Sequence, residues 1–74
     1  MDLELLRARL VQAEERVLEG AKHIVAQTAF VAALEGNVRD TTTARQLLAH
    51  FEAMQAMHVA ERDRLKQELA ANDN

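Results

Sequence analysis

Seventy-four residues with nine Lys/Arg against twelve Asp/Glu, a formal charge of −3, make at most one small domain and lack the net basic stripe of a nucleic-acid surface. Cysteine is absent, which excludes disulfides and thiolate metal sites, so stability must come from packing, in a size range where oligomerisation is a common remedy. No apolar segment approaches the roughly 20 residues of a membrane span, and Met1-Asp2-Leu3-Glu4 is acidic where a secretory leader is basic; a soluble, cytoplasmic protein is expected.

Leu3, Leu6, Leu10, Ala13, Val17, Gly20, Ile24, Gln27, Val31 and Leu34 recur at alternating spacings of three and four, the a/d pattern of a coiled-coil seam. They predict a first helix over about 3–35. A second apolar row, Val11, Leu18 and Val25, lies off that seam and widens the sticky face beyond what one partner helix covers. From His23 to Leu34, with Phe30 included, twelve residues carry no charge in a chain that is 28% charged. A two-helix hairpin alone cannot hide that stretch.

Gly36-Asn37 supplies residue types that tolerate a left-handed C-terminal cap, so a turn is expected over 36–40, with Val38 folded over the hairpin end against Leu34 and Leu47. Asp40, Thr41 or Thr42 can cap the next helix, and the threonine run predicts a frayed first turn.

Leu47, Leu48, Phe51, Met54, His58, Leu65 and Leu69 fall on one side of a second helix over about 41–70, followed by a polar tail, 71–74. Matched helix lengths favour an antiparallel hairpin. A turn centred between Val38 and Arg39 sets Val31 against Leu47 and Leu48, Gln27 against Phe51, and Ile24 against Met54. It also sets Gly20 against His58, Val17 against Glu61 or Arg62, and Ala13 against Leu65. Glycine in mid-helix costs about 1 kcal/mol relative to alanine, so a packing reason is expected at Gly20, namely room for His58.

His58 sits on an apolar face with Gln55 and Arg62 one turn either side. A core histidine bonded across the seam to His23, to Gln27 or to a twin chain is expected ahead of a metal ligand or a pH switch. Glu19 with His23, and His58 with Glu61, are weak metal candidates; no Glu-x-x-His set occurs, and neither metal nor cofactor is expected. Gln27, Gln55 and His58 are better suited to register specification, because a buried polar group penalises slipped pairings. Phe51, Met54 and Met57 form an adaptable apolar patch. The chain has no serine, and Thr28 and Thr41–Thr43 have no neighbouring base, so no catalytic residue is assigned and no enzyme is expected. Arg7, Arg9, Arg16, Arg62, Arg64 and Lys66 gather at one end of the hairpin, interleaved with acids such as Glu4, Glu14, Glu61 and Glu68, as on a solvated ion-paired face.

The pattern Gly36, Asp40, Thr41, Ala44, Leu47, Leu48, Phe51, Glu52, followed by His58, Arg62, Arg64, Leu65, Glu68 and Leu69, resembles short uncharacterised bacterial helical-hairpin proteins. The resemblance covers nearly half the chain; it implies a bacterial cytoplasmic protein and carries no activity.

The fold expected is an all-α antiparallel two-helix hairpin dimerising into a four-helix bundle. Its interface would be drawn from Val11, Leu18, Ile24, Val25, Gln27, Phe30, Val31 and Leu34 on helix 1. Helix 2 would contribute Leu48, Phe51, Met54, Met57 and His58, and the charged terminal halves would stay more open to solvent. The function expected is a non-enzymatic structural or protein–protein interaction module, a small regulator or adaptor with a larger protein as a further partner. A metal- or pH-responsive bundle using His58, His23 and Glu19 is the alternative, and nucleic-acid association through Arg7, Arg9, Arg62 and Arg64 the third.

Overall fold

The computed structural model describes residues 2–72, in which α1 (Leu3–Gly36) and α2 (Thr42–Asn72) pack as an antiparallel hairpin 57 Å long and 14 Å across. No strand occurs among the described residues. α1 begins where the Asp2 carboxylate accepts from the Glu4 amide at 2.9 Å, satisfying one of the unpaired first-turn donors. It runs one residue beyond the expected end. α2 likewise continues to Asn72 rather than giving way to a tail at 71, since Asn72 Nδ2 reaches the Glu68 carbonyl at 2.8 Å; Asp73 and Asn74 of the expected tail lie outside the described residues.

The turn departs from expectation. Gly36 is helical and Asn37 has φ −98°, while the left-handed position is taken by Val38 at φ 55°. The Val38 amide donates to Glu35 O (3.1 Å) and the Arg39 amide to Leu34 O (2.9 Å), the paired bonds of a Schellman ending with Val38 where glycine is usual. Asn37 Nδ2 adds a bond to Ala33 O at 2.8 Å. Val38 is 94% exposed rather than folded against Leu34 and Leu47, because the cap turns its side chain outward.

At the start of α2, Asp40 supplies the capping oxygen: its Oδ1 accepts from the Thr42 amide (2.9 Å) and the Thr42 hydroxyl (2.7 Å), which holds its carboxyl below the usual carboxylate range. Thr41 instead accepts from the Arg45 Nε through its hydroxyl. The first turn is helical from Thr42, not frayed. An Arg45–Glu35 ion pair closes the turn end.

Ala13 meets Leu65 in the core as expected, but from Gly20 toward the loop the register is shifted by about one helical turn. Gly20 packs against Gln55 rather than His58, His23 rather than Gln27 touches Phe51, and Gln27 reaches Ala44. The physical reason is the cap. The backbone folds down along the last turn of α1 instead of arching between level helix ends, so residues of α1 face partners nearer the loop.

The core also lies elsewhere than expected. Leu6, Ala13 and Leu65 are the buried cluster, with Leu3, Leu10 and Leu69 packed around it, all in the charged terminal half. Nearer the loop only Val31 and Ala44 are buried. Charged residues flank the terminal seam without occupying it, so leucines there meet leucines.

Candidate interaction surface

Val11, Leu18 and Val25 recur every seven residues, which returns each to nearly the same side of α1, away from the seam. The structure leaves them 53%, 58% and 70% exposed. Between Leu18 and Val25 lies an apolar dimple lined also by Ala21, Lys22 and Ala26. Lys22 extends over it to Glu19 at 3.4 Å, an exposed pair.

A second apolar surface runs along the cleft between the helices. A groove of about 240 Å³ is lined by Arg16, Glu19, Gly20 and His23 from α1 and by Phe51, Met54, Gln55 and His58 from α2. The His23 ring meets Phe51 edge-on, with centroids 5.4 Å apart and planes at 86°, a favourable aromatic geometry. Phe30, Leu47 and Met54 remain exposed, and Met57 reaches 72%. Leu47 and Leu5, also exposed, were absent from the expected interface. The seven-residue spacing from Leu47 to Met54 is the signal that carries the former.

The seam's polar residues bond across it. Gln27 Nε2 donates to Ala44 O at 2.9 Å, and Gln55 Nε2 donates to Val17 O at 2.8 Å. One tie runs from α1 to α2 and the other from α2 to α1. The Val17 carbonyl orients the Gln55 amide, so that its Oε1 points at Gly20, where it is buried without a hydrogen-bond donor. This is the packing reason for Gly20. His58, expected there, is half-buried at the groove wall instead.

Of the weak metal candidates, Glu19, His23 and His58 line the one groove, whereas Glu61 lies in a separate depression with Arg9, Gln12, Ala13, Arg16 and Leu65. Among the described residues no three His, Asp or Glu side chains converge as an ion would need. Glu61 is engaged elsewhere. Its carboxylate accepts from Arg64 at 2.7 and 3.0 Å, which lowers its pKa, and the charges of Arg16 and Arg9 lower it further.

At the basic end, Arg64 also pairs with Glu68, and Arg62 with Asp63 at 3.0 Å. Both of these cations face acids one turn away or adjacent. Of the other expected interface residues, Ile24, Gln27, Leu34, Leu48 and Phe51 are half-buried at the seam, and Val31 is enclosed within the hairpin.

No family model, curated protein or solved structure matches this chain. Among the described residues no helix is long and apolar enough to cross a membrane. What the surface offers is two apolar faces on a thin rod, one on the back of α1 and one along the cleft. Both suit helix-on-helix packing.

Proposed function

We propose that the chain is a non-enzymatic, cytoplasmic interaction module that works as a self-associating hairpin, a small regulator or adaptor of the short bacterial type its Gly36–Leu69 pattern resembles. One observation carries this reading. Leu6, Val31 and Leu65 are the only large side chains fully buried among the described residues, while Val11, Leu18, Val25, Phe30, Leu47, Met54 and Met57 are exposed. Each such side chain contributes about 1.5–3 kcal/mol when covered, so a second hairpin seated on the Val11–Leu18–Val25 row adds burial comparable to that of the three enclosed side chains. Exposed apolar faces of this kind mark association sites. Two hairpins together make a four-helix assembly, and the dimer is the folded unit.

The test is solution mass by light scattering coupled to size exclusion over a hundredfold concentration range, with helicity measured alongside. A constant dimer mass supports the reading. A helical monomer at the highest concentration overturns it and leaves the faces to a larger protein partner.

The placement of Glu19, His23 and His58 along one groove, without the three-ligand convergence an ion needs among the described residues, favours as a second reading a proton- or metal-responsive bundle. Zinc titration with a thermal melt at pH 5.5 and 7.5 addresses it: an unchanged melting temperature in every condition removes it.

A further inference from the structure

We propose, resting on the self-association reading, that two copies join α1 to α1 in antiparallel fashion about a two-fold axis at Leu18, with Lys22 of each copy on Glu15 of the other. The occupant of the α1 back face is thus a second copy of this chain.

The argument starts from symmetry. Val11, Leu18 and Val25 are evenly spaced and exposed, so Leu18 is the centre of the row. Turning the helix end for end about Leu18 lays Val11 on Val25 of the other copy and Leu18 on its own counterpart. An isologous two-fold contact must be self-complementary in this way. At about 100° per residue Glu15 and Lys22 lie on one flank of the row and Glu14 and Ala21 on the other; the two-fold keeps each flank on its own side, so Glu15 meets Lys22 and Glu14 meets Ala21 of the other copy. Opposite charges meet twice and no like charges meet.

Other alignments fail one of these conditions. Parallel packing exchanges the flanks and sets Glu15 beside Glu14 of the other copy, and like charges so placed disfavour a partner. An antiparallel slip of one heptad sets Lys22 beside Lys22 and leaves Val11 facing only Ala32. Small side chains permit the close approach: Ala21 and Ala26 line the dimple between Leu18 and Val25. Lys22 is held by Glu19 at 3.4 Å on an exposed surface, a pair that exchanges at little cost. The cleft on the other side of the hairpin includes Arg16, Glu19, His23 and His58, whose polar groups resist dehydration on a copy of themselves.

The chain contains no cysteine, so single-cysteine variants report proximity without background. Helices in contact lie about 8–10 Å apart with Cα atoms about 2.3 Å off axis, which brings facing Cα atoms within disulfide reach. Under mild oxidation Leu18→Cys is expected to cross-link with itself. Val11→Cys and Val25→Cys, each about 21 Å from its own copy, should not cross-link alone but should do so when mixed. Cross-linking of all three single variants overturns the proposal in favour of parallel packing. Cross-linking of Leu18→Cys only with Val25→Cys overturns it in favour of the slipped register.

Reduced Leu18→Cys is weighed in parallel. A dimer mass without cross-linking overturns this placement and leaves self-association standing; a helical monomer overturns both. Lys22→Glu is expected to weaken the dimer about tenfold by opposing like charges, and Lys22→Glu with Glu15→Lys to restore it. No recovery in the double variant overturns the charge pairing.

Discussion

Replacing Gly20 by alanine should destabilise the hairpin, although helix propensity alone says the opposite. A methyl group there would stand 1.9 Å from Gln55 Oε1 and 2.8 Å from its Cδ, well inside van der Waals contact. Gln55 cannot simply swing aside, because its Nε2 is bonded to the Val17 carbonyl at 2.8 Å. Displacing the amide leaves the Val17 carbonyl unpaired at about 1–3 kcal/mol, while Oε1 is already without a donor. Alanine returns about 1 kcal/mol through propensity. The net loss is up to about 2 kcal/mol, which lowers Tm by as much as several degrees in a chain of this size. In a Gln55→Ala background the obstacle is gone, and the same Gly20→Ala change should stabilise by about 1 kcal/mol. Thermal and urea melts followed by circular dichroism, at one fixed concentration so that association does not shift the midpoint, give both values. Gly20→Ala raising Tm in the unmodified chain, or acting with the same sign in both backgrounds, would refute the packing assigned to Gln55.

Val38→Gly relieves a β-branched residue at φ 55° that is 94% exposed, so no burial is lost. Relief of about 1–2 kcal/mol less the entropy of glycine in the unfolded chain gives a net gain of about 0.5–1 kcal/mol; a lower urea midpoint would contradict the cap geometry. Leu65→Ala removes a side chain 2% exposed and should cost about 2–5 kcal/mol, whereas Leu47→Ala at 42% exposure should cost less than half as much, and the reverse order of midpoints would place the core at the loop. Acid sensitivity is the third. The depressed Asp40 pKa contributes stability above the ordinary aspartate pKa that is lost as pH falls through the folded value. Asp40→Asn keeps an acceptor at the cap, so it should melt like the parent at pH 7 and lose less Tm between pH 5 and 2.5; an unchanged pH profile counts against the cap.

Helix existence and extent were legible because the three-four spacing from Leu3 to Leu34 is long and regular and the stop at Gly36-Asn37 is abrupt. The use of Gln27 and Gln55 to bond across the seam fits the register role expected of them. The register itself was not legible. It depends on whether the chain turns back along α1 or arches away, and that was decided by Val38 adopting a conformation its side chain disfavours. The position of the core was misjudged for another reason. Charge averaged along a stretch says what the outside of a helix carries, while burial depends on the seam alone, where Leu3, Leu6, Leu10, Leu65 and Leu69 outweigh the Arg and Glu residues around them. The uncharged His23–Leu34 stretch supplies exposed alanines more than seam leucines. In the candidate surface, the Val11–Leu18–Val25 row was readable from spacing, but the placement of Glu19, His23 and His58 along one groove needed the true register.

Placing the core at the open end of the hairpin has a consequence for how the molecule comes into being. Leu6 and Leu65 stand near opposite ends of the sequence, so their contact closes one of the longest loops the chain can form. During synthesis α1 is complete well before the residues that cover its leucines have been added. The ion pair of Glu35 with Arg45 and the Asp40 cap can form first and align the two segments, but the step that commits the fold waits for the last turns of α2. Trimming the C-terminal turns should therefore abolish folding outright, whereas extra residues inserted beside Val38 should be tolerated with only a small loss of stability.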